Sequence, residues 1–427
     1  MNPAYQYAGL KNPKEVGLSV EQCTDRLHRL AYVETQLMFI QAAHIISTPE
    51  RDIKALLSRS QYEDGQHADR LKHRLTELRV SQKRAFIEED AALAIVFEEA
   101  FHAHGTAELL AALTLVFKPA LKEAYHRYMA ETNGLADYGS VRAINQTIVE
   151  EEEISTLLRN AYQDTLKKKS DRETDAQNWA DHLKKLLDAV GGIDGTGNRQ
   201  KDLPSGTRRE ATYSIPRTQT WDNAFPRVWD IDHVDESHIP ERLAQMICTR
   251  LGELTIAESL SFVLCETKGQ PWSFYLDISR HQWDEMRHSM FGEAAIEDLF
   301  DDRAAMPLRE WETEYLYRLD PLPLYAMLCD VEAGLMKYPP GKRFEYEFCR
   351  DQGGHPLMTT LQDFDWADEV LHVNIARRQL KTWFTGSQKE LLALAESGIN
   401  LRSQARTKHP PSPLPSIRDA LSRKTTP

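Results

Sequence analysis

Long stretches with apolar residues three and four apart alternate with short breaks rich in Pro, Gly and Asn, which predicts amphipathic helices joined by turns. Over about 19–47, Leu27, Leu30, Ala31, Leu37 and Met38 recur at helical spacing around Glu34, and Thr48-Pro49 ends the run. Three further helices are expected over about 50–79, 88–131 and 138–168, with Pro119 kinking the third and Asn133-Gly134 closing it. Four helices with short turns read as an up-down bundle. Residues 169–239 change character: a charged run, the Gly-rich stretch at 191–197, a helix over about 174–190, then a Pro-punctuated connection carrying Trp221, Phe225 and Trp229 that is expected to pack across a surface. The helical pattern then restarts at about 240–267, 272–300, 308–319, from Pro323 to 350 with a break at Pro339-Pro340-Gly341, and at 355–385. No strand-like alternation recurs. The expected fold class is all-α, with two four-helix bundles in tandem: an arm at 1–18, a first bundle at 19–168, a connector at 169–239, a second bundle at 240–390, and a tail at 391–427 that is extended after 404.

The two halves share a local signature. Residues 58–67, SRSQYEDGQH, and 279–288, SRHQWDEMRH, align at an offset of 221 and share Ser, Arg, Gln, an aromatic, two acids and a His. In the second copy Glu285 and His288 lie three apart, on one helix face. Glu369 and His372 repeat that pair. Glu253 lies sixteen residues before the turn at 269–270 and Glu285 fifteen after it, so the two face each other across an antiparallel helix pair. Glu332 sits among Leu328, Cys329, Leu335 and Met336, where a lone carboxylate needs a compensating charge. Glu253 has a simpler explanation within reach, an ion pair with Arg250.

Composition narrows the chemistry. The net charge is −13, which argues against general nucleic-acid binding. Five cysteines without a C-x-x-C pair read as reduced thiols of a cytoplasmic protein, and no apolar run is long enough to span a membrane. The order Glu253, Glu285-x-x-His288, Glu332, Glu369-x-x-His372, with separations of 32, 47 and 37 residues, is the ligand set of a four-helix dimetal carboxylate centre. Oxygen donors with two imidazoles suit two Fe ions, with Mn as the alternative. Arg280, Asp284, Asp365 and Asp368 are candidates to orient the His rings, and Trp283 and Trp366 lie near the ligands in sequence, with packing as the ordinary role.

The first half carries a weaker set: Glu34, Asp64 (or Glu63) and His67, with Glu108 or Glu99 on the third helix and Glu151 or Glu152 on the fourth. No His follows those fourth-helix acids at plus three, so this bundle is read as degenerate and metal-free, with Glu34 a buried acid bonded to His67. His102, His104 and His126 read as ordinary helix histidines.

Glu253, Glu285-Met286-Arg287-His288, Glu332 and Glu369-Val370-Leu371-His372 together resemble the ferritin-like di-iron carboxylate superfamily, which includes bacterioferritin, rubrerythrin, the small subunit of ribonucleotide reductase and the di-iron oxygenases. The likeness covers about 240–385, with a decayed version over 19–168. It implies a di-iron oxidase or oxygenase that activates O2 to oxidise a small organic substrate. The alternatives are a non-catalytic iron-binding or ferroxidase-like protein, and a structural helical protein whose Glu/His pairs are polar core. Some di-iron N-oxygenases place an extra His ligand one turn before the final Glu; here that position is Asp365. No flavin, nicotinamide or iron–sulfur motif is present, so a separate electron donor is implied. A homodimer is compatible with a first bundle that serves as scaffold or interface.

Overall fold

A computed structural model describes residues 5–86, 90–204, 206–235 and 237–425. The first four residues of the expected arm, the start of the expected third helix at 88–89 and the last two residues lie outside the described residues. The chain forms two compact units: one holds the residues up to His44 together with Arg59–Ser214, the other Ile45–Ser58 and everything from Ile215.

In the first unit, α1 (Val20–Ile45) and α2 (Arg51–Glu77, counted here from Arg59) follow the predicted periodicity, and Leu27, Leu30, Leu37 and Met38 are buried. The single long helix expected next is broken. A short α3 (Gln82–Phe86) lies in the expected turn before it, and the helix itself becomes α4 (Ala91–Ala100), α5 (Gly105–Ala111), a π-helical turn at Ala112–Phe117, and α6 (Lys118–Glu131). Asp90 caps α4 by accepting from the Leu93 N–H, and Gly105 adopts φ +77°, a turn that ends the preceding run. Pro119 sits in the first turn of α6, where its missing N–H costs nothing. Then come α7 (Tyr138–Lys168) and α8 (Glu173–Ala189). Helix α8, which falls within the expected connector, buries Trp179, Leu183 and Leu186 against α4 and α5. The apolar stripe of α8 therefore completes this unit's core.

In the second unit the expected first helix divides at Glu253 into α9 (Ile239–Gly252) and α10 (Leu254–Glu266). Helix α11 (Trp272–Phe300) is continuous. Residues 308–319, expected as a helix, split instead: Leu308–Arg309 form a short parallel pairing with Arg227–Val228, and only α12 (Thr313–Leu316) is helical. Helices α13 (Pro321–Leu335), α14 (Lys342–Asp351) and α15 (Pro356–Trp383) follow, with the predicted break between the first two. The tail is not extended throughout. Helix α16 (Gln388–Arg406) starts at a Ser387–Glu390 capping box and packs on α13; α17 (Arg418–Thr425) follows, and Ile417 and Ala420 are buried in the core beside Leu243, Ile247 and Ile296. The stretch between them is held by backbone bonds joining Ser412 to Asp230 and Asp232. The fold is all-α, and among the described residues no helix is long and apolar enough to cross a membrane.

Candidate metal centre

Helices α11 and α15 pack side by side, and each presents an acid or imidazole at spacing four then three: His281, Glu285 and His288 on one, Asp365, Glu369 and His372 on the other. The His281 ring stacks on His372 with centroids 3.9 Å apart, while His288 Nδ1 lies 3.4 Å from Asp365, so the helices run antiparallel and the two triplets face each other. The six residues expected as ligands are all buried, and the geometry sorts them into two neighbouring clusters. One unites Glu285, Glu332 and His372 with His281; the other unites Glu253, His288 and Glu369 with Asp365, and within each cluster the potential ligand atoms lie within 4.8 Å of one another.

The first cluster is short of charge and of partners. His281 Nε2 lies 3.1 Å from Glu332 and 3.6 Å from Glu285, and His372 Nδ1 lies 3.2 Å from Glu285. Yet both nitrogens of His281, Nδ1 of His372 and Oε2 of Glu332 lack an aligned hydrogen bond. No Lys or Arg reaches Glu285 or Glu332 among the described residues. Burial pushes the His372 imidazole down, but the bonds to Asp284 and Glu285 outweigh it and hold His372 well above its ordinary value. Glu285 is held well below its usual range because His281 and His372 outweigh its burial. Two carboxylates and two imidazoles converging in a dry pocket fit a divalent cation.

The second cluster is already neutralised. Lys342 Nζ lies 2.7 Å from Glu369 and 2.9 Å from Asp365, and Arg250 reaches both Asp365 and, at 2.9 Å, Glu253. The simple ion pair from Arg250 to Glu253 is therefore present. Burial pushes the Glu253 carboxyl up to about 8 in spite of Arg250 and Lys342. Gly341, at φ +140° with Lys337 O only 2.2 Å from where a Cβ would stand, sets the turn that begins α14 with Lys342 inside. A metal fits this cluster less well, because two cationic side chains hold its oxygens.

Of the expected supporting residues, Arg280, Asp284 and Asp368 lie around the clusters, while Asp365 is itself a member of the second. Asp284 Oδ2 lies 3.4 Å from His372 Nε2 and Asp368 Oδ2 lies 3.3 Å from His288 Nε2, while Arg287 bonds Asp284 at 2.6 Å and lies 3.2 Å from Asp368. Arg280 joins Asp284 at 3.2 Å. His372 and His288 thus each have the outer Nε2 held and Nδ1 turned inward, whereas His281 faces the acids through Nε2. The aromatic rings beside the candidate ligands are Phe291, 5.5 Å from the His288 ring, and Tyr325, edge-on to His281 at 6.1 Å; Trp366 instead stacks on Tyr346, and Trp283 is part-buried. His281 is the ligand candidate that sequence reading missed. Its signal was its place four residues before Glu285, matched by Asp365 four before Glu369.

In the first unit Glu34, Asp64, His67 and Glu151 also converge. Lys118, fully buried, bonds Asp64 and, at 2.6 Å, Glu151; Tyr125 donates to Glu34, and His67 Nδ1 lies 3.4 Å from Glu34. Glu63 on α2 does not join them and pairs with Arg59, nor do the third-helix acids: Glu99 accepts from the Arg208 and Arg209 N–H groups, and Glu108 pairs with Arg208. The contribution from that part of the chain is an ammonium, not a carboxylate.

Compared with known protein families, with curated proteins and with solved structures, the chain finds no match.

Proposed function

We propose that this chain is a ferritin-like di-iron oxidoreductase, an oxidase or oxygenase that activates O2 to oxidise a small organic substrate. Its primary metal is held by His281, Glu285, Glu332 and His372. A second is held more weakly by Glu253, His288, Asp365 and Glu369. The observation that carries the reading is the first cluster itself: four buried ligand groups, several of their polar atoms without an aligned hydrogen bond, and no Lys or Arg on the carboxylates among the described residues. When bound, iron, or manganese in its place, supplies O2 binding and single-electron transfer. Asp284 and Asp368, on the outer Nε2 atoms of His372 and His288, would orient the two rings with Nδ1 toward the metal, and each ring would give up its inward proton when a metal binds. Lys342 holds a positive charge next to the centre and must withdraw for a second metal to enter. A cavity of about 480 Å³ between α13, α15 and α16 is lined by Cys329 and Ala333, neighbours of Glu332, by Val373 and Ala376, neighbours of His372, and by Leu380 and Leu391; it suits a small, largely apolar molecule. Electrons come from a separate donor.

A second reading, iron binding without turnover, draws support from Lys342, which leaves one cluster open and not two. Elemental analysis of protein loaded anaerobically with Fe(II) decides between these readings. We expect about one tightly held metal per chain, lost in His281→Ala and Glu332→Ala with helix content unchanged, and a second taken up by Lys342→Met. Protein that retains no metal sinks both readings. Metal retention with O2 consumed only to deposit ferric iron replaces the first by the second.

A further inference from the structure

The first unit contains a cleft that the metal chemistry does not use. It is about 710 Å³ in volume, bounded by α1, by the start of α3 and by the Gly-rich loop at 191–197. In a chain of net charge −13, its walls are basic. Arg29 is a fixed part of the wall: it donates to Ile193 O at 3.0 Å and Gly192 O at 2.9 Å and pairs with Asp90, and Gly195, at φ +72°, lies so close that a Cβ would stand 2.9 Å from its Nε. Asp194 is spent on Arg127 at 2.9 Å. Among the described residues, that leaves Lys83, Arg84 and Arg199, all exposed, lining the cleft without an acidic partner, and Asp25 as the one lining acid outside these pairs. Two more donors are orphaned there: Arg26 Nη1 and His28 Nε2 are buried with no hydrogen-bond partner, although Arg26 turns its other nitrogen to Glu131 at 2.6 Å.

We infer that this cleft binds a phosphorylated small molecule, its phosphoryl oxygens held by Arg84, Arg199 and Lys83. Three unpaired cations against one acid leave an excess that a single carboxylate does not neutralise and a phosphate ester or diphosphate does. Guanidinium forks match phosphate oxygens in pairs. A half-open cleft of about 710 Å³ has the size of a small-molecule site.

The test is calorimetric titration of the full-length protein with inorganic pyrophosphate and with ADP, with citrate as a control for general anion attraction. We expect saturable binding of at least one phosphate probe, and none of citrate. Arg84→Ala and Arg199→Ala should each weaken it at least about tenfold at unchanged melting temperature. Failure of both phosphate probes to bind, equal binding of citrate, or unchanged affinity in the double variant overturns the inference. Metal content is not read in this experiment, so the outcome is independent of the oxidoreductase proposal.

Discussion

Lys118 and Lys342 solve the same physical problem in the two units. Lys342 opens a helix that resumes after a break and Lys118 follows a π-helical turn without interruption, and each places its ammonium among buried carboxylates. Removing one partner of such a pair leaves the others uncompensated, so Lys118→Met should destabilise the protein by about 3–5 kcal/mol, read from urea denaturation. A loss under about 1 kcal/mol would mean that water or a metal replaces the ammonium. Asp284 acts on a ligand and not on the metal: it bonds the outer nitrogen of His372. Asp284→Asn should therefore weaken metal affinity by about 10–100-fold in competition with a chelator while leaving stoichiometry at saturation unchanged.

At the scale of elements, the centre depends on how closely α11 approaches its neighbours. Gly292 on α11 meets the α9 backbone, where a Cβ would stand 2.4 Å from Leu251 N and 2.8 Å from Ile247 O. Gly292→Ala must push the helices apart and should cost about 1–3 kcal/mol, with a lowered melting temperature; an unchanged melting curve contradicts this packing. The same approach carries Glu253, at the α9–α10 break, to within 3.8 Å of His288. Helical periodicity located α1, α2, α7, α11 and α15 to within a few residues, because each exposes one face and buries the other. It missed the division of the third helix, since the apolar stretch from Ala91 to Phe117 looks continuous and only Gly105's positive φ interrupts it. It missed the packed tail because the buried residues there, Ile417 and Ala420, are too few to make a periodic signal.

For the whole molecule, stability should depend on acid through buried groups of either sign. His44, buried and bonded to Phe101 O at 3.0 Å, has its imidazole pushed down by burial to about 4. Its folded pKa lies below the unfolded value of 6.5, so the unfolded chain takes up the proton first, and stability is lost as the pH falls from 6.5 to about 4. That window is worth about 3 kcal/mol. Glu151 acts in the same direction: burial raises it, but Lys118 and His67 outweigh burial and hold it at about 2, so its contribution is present above 4.5 and lost as the pH falls through 2. Urea midpoints compared between the wild type and His44→Gln isolate the first term. The wild type should lose more stability between pH 7 and 4, and parallel curves would remove the His44 contribution.

The sequence by itself determined the helical class, the repeat around residues 58–67 and 279–288, and six of the eight buried groups at the candidate centre, because a face of a helix is written in spacings of three and four. It did not determine which of them meet. The partition into two clusters follows from the antiparallel register of α11 against α15, which turns His281 toward His372 and His288 toward Asp365. The choice of cation was also tertiary: Lys342 and Lys118 carry no sequence mark that separates them from surface lysines, and only the packing of the helices brings each Nζ into a buried ring of carboxylates. Long-range proximity of charges is set by packing, and packing is where local periodicity stops being informative.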